Sequence, residues 1–110
     1  MPVGKIVYQV AANNLKPVTL ELGGKSPTII TANCNLKITV KRLIWAKYLN
    51  AGQTCIAPDY VYIHETIKED FLNECKKEIE SSKYSFENEN YVQIIDDKNY
   101  NMLVNLIDKE

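Results

Sequence analysis

Three cysteines are all that this sequence holds, and Cys34, Cys55 and Cys75 neither pair off nor approach a Cys-x-x-Cys spacing. Zinc sites are recognised by that local pairing, so no metal centre is expected. An odd set of cysteines, with no apolar leader and no Asn-x-Ser/Thr acceptor, argues against a secreted disulfide framework and for a reducing compartment. Neither sign of charge is in excess: 13 Lys and Arg stand against 14 Asp and Glu, a net charge of -1. Such a chain has no long-range field to gather nucleic acid or anionic lipid. No apolar run approaches the roughly 20 residues that cross a bilayer, so no membrane span is expected. Four glycines and four prolines among 110 residues exclude collagen and low-complexity linkers.

What is present is the composition of a chain that folds, 45% hydrophobic and 25% charged. Its length allows one small domain, able to bury roughly two-thirds of its unfolded surface but not to build a spacious core. Val3, Ile6, Val7, Val10 and Ala11 follow helical spacing, with Pro2 suited to the first turn and Asn13-Asn14 to the exit. Val18 to Leu22 alternates as a strand does and Gly23-Gly24 interrupts it, which places Glu21 at the end of a short strand entering a sharp loop. Thr28 to Thr31, after Pro27, predicts a second strand. Asn33 to Asn35 offer caps for a helix from about Leu36 to Asn50, terminated by Gly52. Its apolar residues cover more than one stripe, so this helix expects neighbours on several sides.

Val61 and Ile63 alternate with Tyr60, Tyr62 and His64 in a further strand, Asp59 to His64. Thr66-x-x-Glu69 matches a capping box, opening a helix in which Ile67, Phe71, Cys75 and Ile79 recur every four residues. Ser81 to Asn90 reads as a loop and Val92 to Ile95 as a short apolar segment. Asp96 or Asp97 caps a last helix with Tyr100, Leu103, Val104 and Ile107 on one face. Strands separated by helices indicate an α/β layered architecture. Three or four short strands cannot make a sheet covered on both faces, so the chain reads as a slice of something larger.

Most candidate motifs dissolve on inspection. Gly24-Lys25-Ser26 matches the tail of a phosphate-binding P-loop, but Thr19 stands where the first glycine is required and Pro27 blocks the helix that should follow. A Cys55–His64 hydrolase pair would be separated by roughly 30 Å of mostly extended chain. Lys37, Lys41 and Lys47 with Trp45 and Tyr48 read as a solvated edge, because the chain has no positive excess. Cys75 falls in an apolar helical stripe, where cysteine behaves as a small hydrophobe, and Cys34 falls in a polar turn. Cys55 differs: it follows Gly52-Gln53-Thr54 after a helix end and precedes Pro58, a loop position where sulfur can face a cleft.

Two segments then carry a resemblance. Leu20-Glu21-Leu22-Gly23-Gly24-Lys25-Ser26-Pro27 resembles the glutamate signature of aldehyde dehydrogenases, and Tyr48-Leu49-Asn50-Ala51-Gly52-Gln53-Thr54-Cys55 resembles their cysteine signature, in the family's order. The flanking Val3-Gly4-Lys5, Pro17-Val18-Thr19 and Ile56-Ala57-Pro58-Asp59-Tyr60 are most similar to the class 3 branch, which includes enzymes of fatty and aromatic aldehydes. The similarity weakens after Ser81, where Tyr91-Val92-Gln93 replaces the Tyr-Gly-Arg of relatives.

The resemblance implies a fragment of the aldehyde dehydrogenase fold, with short parallel-type strands alternating with helices. Residues 1–22 would end the NAD(P)-binding domain, and residues 23–110 would begin an incomplete catalytic domain. It implies Cys55 as the nucleophile on an aldehyde substrate, Glu21 as the base that activates water, and NAD or NADP as cofactor. Val3, Gly4, Leu22 and Gly23 would lie against that cofactor, and the Cys55 N–H would supply one oxyanion donor. The asparagine that completes the oxyanion hole and most of the nucleotide-binding sheet would lie upstream; the glutamate that holds the nicotinamide ribose would lie downstream. Relatives are usually homodimers in the cytoplasm, and full-length ones can be anchored to the endoplasmic reticulum membrane. The isolated chain is expected to be inactive and to self-associate. A second class of function is a non-catalytic remnant that binds other protein through uncovered apolar helix faces.

Overall fold

A computed structural model describes residues 2–85, 87 and 89–107. Helix α1 (Pro2–Asn13) is followed by an irregular segment and then by strand β1 (Ser26–Ile30), helix α2 (Leu36–Tyr48) and strand β2 (Pro58–Ile63). Helices α3 (Lys68–Ser82) and α4 (Asp97–Ile107) complete the chain. The strands form one parallel pair, with Ser26 opposite Pro58 and Ile30 opposite Ile63. Parallel strands need a crossover, and α2 supplies it, so β1-α2-β2 is a βαβ unit. Both strands begin with residues that a sheet tolerates only at its margins: Pro58 opens β2, and Pro27 sits at a register shift after Ser26.

Ile30, Val40, Ile44 and Phe71 form the core where α2 and α3 meet the sheet, and Val40 is 0% exposed. The Asn35 side chain caps α2 by accepting from the Ile38 N–H at 3.2 Å, as the polar run before Leu36 predicts. Only Val40 and Ile44 of that helix are buried, whereas Ile38 and Trp45 remain exposed on its other sides. The surplus apolar surface of α2 is therefore real and uncovered.

Helix α1 buries nothing, with Val3 72% exposed, and α4 buries nothing either. Asp96 caps α4, accepting from the Asn99 N–H at 2.7 Å. The radius of gyration is 18.3 Å, against about 13 Å for a compact domain of this length. Among the described residues no helix is long and apolar enough to cross a membrane.

Several expectations fail. Residues 18–22 form no strand, because alternation supplies a face but not a ladder partner, and the sheet here has two strands only. The capping box does not form. His64 at the end of β2 accepts from the Thr66 N–H at 3.4 Å and its Nδ1 lies 2.9 Å from the Thr66 hydroxyl, so Glu65–Ile67 forms a 3-10 turn and α3 starts only at Lys68. Helix α2 stops at Tyr48 rather than Asn50, and α3 runs to Ser82, into the expected loop 81–90. Positions 86 and 88 of that loop lie outside the described residues.

Candidate active site

Parallel pairing decides which loops are neighbours. Because β1 and β2 run in the same direction with Ser26 opposite Pro58, the segments entering them approach from one edge of the sheet. Glu21 lies in the first entering segment and Cys55 in the second. The two main chains touch there: a Cβ built on Gly24 would stand 3.0 Å from the Cys55 carbonyl oxygen. Only glycine permits that approach without displacing the Cys55 backbone. A little further along the same edge, Lys25 Nζ lies 3.7 Å from Asp59 Oδ2.

The route into Cys55 is a left-handed turn. After Tyr48, Asn50 has φ 53° and ψ 34°, Ala51 φ 54° and ψ 31°, and Gly52 φ 74°. Asparagine and glycine tolerate this region, but Ala51 does so at a cost of about 1–2 kcal/mol. The turn is held by its own amides: the Gln53 N–H donates to Asn50 O at 3.0 Å, and Asn50 Nδ2 donates to Gln53 O at 3.1 Å. Next, the Ala57 N–H donates to Thr54 O at 3.0 Å, so Cys55 and Ile56 occupy the corners of a tight turn. That is why the Cys55 thiol is exposed. Among the described residues the Cys55 N–H donates to no acceptor, which leaves it free to meet a developing oxyanion.

On the other loop the Glu21 carboxylate accepts from the Gly23 N–H at 3.2 Å, and Gly23 has φ 110°, a conformation closed to side-chain-bearing residues. A Cβ at Gly23 would meet nothing within 4 Å, so the main chain there presents an open face. The first turn of α1 closes on the same segment, where a Cβ on Gly4 would fall 2.9 Å from Leu22 Cδ2. Gly4, Leu20 and Leu22 line a shallow hollow of about 250 Å³ together with Lys5, Tyr8 and Gln9. Thus Gly4, Leu22 and Gly23 come together around one loop, while Val3 stands exposed at the start of α1.

The other cysteines are placed as structural residues. Cys34 packs against the core after a turn in which its N–H donates to Thr31 O at 3.2 Å. Cys75 also packs against the core; burial pushes its thiol pKa up, and the neighbouring Glu74 carboxylate adds to the shift. The Lys41 and Trp45 side chains line a hollow between α2 and the end of α3 with Arg42 and Glu78, while Tyr48 stacks on Tyr84 with ring centroids 4.8 Å apart. Tyr91 leans on both rings, and this tyrosine cluster has no periodic signal in the sequence. Gln53 is a second residue that pattern reading leaves without a role. Its Nε2 donates to Gln93 O at 3.1 Å and its Oε1 accepts from the Ile95 N–H at 2.9 Å.

Two signature segments thus converge at the sheet, and residues 1–110 match the aldehyde dehydrogenase family. The chain belongs to that family. It is 42% identical over 113 residues to a Mus musculus protein named aldehyde dehydrogenase, dimeric NADP-preferring, covering 98% of this chain and 24% of that one. It is 40% identical over 108 residues to aldehyde dehydrogenase family 3 member A2 of Pongo abelii, covering 96% and 22%. The substrate-bound state of Staphylococcus aureus AldH superposes with a TM-score of 0.83 at 41% identity, covering 97% of this chain and 24% of that one. The family and the fold are therefore those that the two signatures imply, the class 3 affinity is the one that the flanking segments imply, and aldehyde oxidation is the family's chemistry. The chain spans about a quarter of the length of these relatives.

Proposed function

We propose that this chain carries the nucleophile and the base of an NAD(P)-dependent aldehyde dehydrogenase, completed by further polypeptide of the kind its relatives possess. The observation that carries the reading is the contact of Gly24 with the Cys55 carbonyl, which joins the two signature loops at one sheet edge. On this reading the Cys55 thiol loses its proton to solvent, and the thiolate adds to the aldehyde carbonyl carbon. The oxygen that gains negative charge faces the free Cys55 N–H. A bound nicotinamide supplies the acceptor for the hydride that leaves this adduct, and a thioester remains on Cys55. Glu21 then takes a proton from water as that water attacks the thioester carbon, the C–S bond breaks, and carboxylic acid and thiol are released.

The residues at the α1 end suit such a cofactor. The open face at Gly23 lets a flat ring approach main chain, and the first turn of α1 contains no acidic residue to repel a pyrophosphate. Gly4, Leu22 and Gly23, with Val3 beside them, are the groups that would hold it. NAD and NADP both fit this description, and the NADP preference in the mouse relative's name supports including the latter. Residues 1–22 then close the nucleotide domain and residues 23–110 open the catalytic one, which agrees with the βαβ unit beginning only after Gly24. The active protein is proposed to be a cytoplasmic homodimer. The exposed faces of α1 and α4 fit a piece of a larger fold and give no separate support to a non-catalytic interaction module.

The test is made in the full polypeptide that contains this segment. Cys55→Ser should lower aldehyde-dependent NAD(P)H formation by more than about 10³-fold. Glu21→Gln should slow steady-state turnover by about 10²–10⁴-fold while retaining a first-turnover burst of NAD(P)H. Persistence of full turnover in the serine variant would sink the assignment.

A further inference from the structure

The contacts of Gln53 reach far beyond its own loop. Its side-chain amide is half-buried and uses both ends: Nε2 donates to Asn50 O at 3.0 Å and to Gln93 O at 3.1 Å, while Oε1 accepts from the Ile95 N–H at 2.9 Å. Toward Gln93 and Ile95 it behaves as a neighbouring strand would, taking one N–H and giving one to a carbonyl, although residues 93–95 belong to no sheet. The segment so held runs directly into Asp96, the cap of α4. On the near side, Gln53 follows the left-handed turn at Asn50, Ala51 and Gly52 and precedes the tight turn whose corner is Cys55. A strained turn returns to ordinary backbone unless its surroundings over-determine it, and the Gln53 amide contributes three of the bonds that do so.

We infer that Gln53 is a positioning residue for Cys55: by tying the Asn50–Gly52 turn to residues 93–95, it fixes where the nucleophile's loop stands against the Glu21 loop. The inference rests on the proposed function, since it gives Gln53 a role in placing a nucleophile. Glutamate is the discriminating replacement. It keeps the shape and the acceptor for the Ile95 N–H, but it removes both donors and sets a carboxylate against two carbonyl oxygens. Alanine removes all three bonds.

In the full polypeptide, Gln53→Glu and Gln53→Ala are each expected to lower kcat about 10- to 100-fold, the scale set by misplacing a reacting group by about 1 Å. The KM for aldehyde should move less than about threefold, because no substrate contact is lost. Amide hydrogen exchange in a peptide spanning residues 93–95 should accelerate, and Cys55 should show an altered iodoacetamide alkylation rate. If the alanine variant fails to fold, the glutamate variant alone decides. Unchanged kcat and unchanged alkylation in a folded Gln53→Glu protein would overturn the inference while leaving Cys55 as the nucleophile. Full activity in Cys55→Ser would overturn the site assignment and this inference together.

Discussion

A thiol's reactivity is set by how easily it becomes thiolate and by what can reach it, and access by itself separates Cys55 from the other two. Cys55 is exposed at the corner of a turn, Cys34 and Cys75 are half-buried against the core, and the Cys75 pKa is raised, first by burial and then by Glu74. Iodoacetamide is therefore expected to label Cys55 well before Cys75 at neutral pH. Raising the pH toward the elevated Cys75 value increases its thiolate fraction and should speed its own labelling. Peptide mass spectrometry after timed alkylation measures this, and equal rates for the two cysteines at neutral pH would contradict it. At the same scale Gly23 and Gly24 are required for different reasons. Gly23 adopts a backbone conformation that side chains exclude, whereas a Cβ on Gly24 would crowd the Cys55 carbonyl oxygen at 3.0 Å.

Among the elements, the exit of α1 is where conformation and residue type disagree. The Lys16 N–H donates to Ala11 O at 2.9 Å and the Leu15 N–H to Ala12 O at 3.1 Å, the bond pair of a Schellman motif. Leu15 holds the left-handed position with φ 51° and is 93% exposed, so no packing here offsets the strain. Leu15→Gly is expected to stabilise the helix end by about 1 kcal/mol. Slower hydrogen exchange at the Leu15 and Lys16 amide positions would register the gain, and faster exchange would refute it. The sequence marks Asn13-Asn14 as the exit, and Asn14 does help, donating from Nδ2 to Val10 O at 2.8 Å. Elsewhere, the cap runs read from sequence each supply one cap: Asn35 from Asn33 to Asn35, and Asp96 from the Asp96–Asp97 pair. The Thr66 capping box fails because His64, two residues earlier, holds the Thr66 N–H in a 3-10 turn, and α3 begins without a side-chain cap. Local grammar lists candidates; competition among neighbours chooses.

For the molecule as a whole the deciding quantity is uncovered apolar surface. Helices α1 and α4 bury nothing, α2 covers only part of its apolar circumference, and the radius of gyration exceeds that of a compact domain by several ångströms. Exposed faces of this extent are met in complete proteins by other polypeptide. The 110-residue chain prepared alone is therefore expected to associate in a concentration-dependent way, which sedimentation velocity would detect. A monomer with a single cooperative thermal transition would show that the βαβ unit suffices without cover.

By itself the sequence determined the helical stretches, the two strands of the sheet, the position of the exposed cysteine and the two signatures that identify the family. All of these are encoded in local periodicity, turn residues and short contiguous motifs. Tertiary structure alone decided that Glu21 and Cys55 enter from the same edge, that Val18 to Leu22 has no ladder, and that Gln53 reaches Gln93 and Ile95. Strand direction, register and hydrogen bonds between distant segments depend on which backbone groups remain to be satisfied once the chain has packed, and no window of neighbouring residues contains that information.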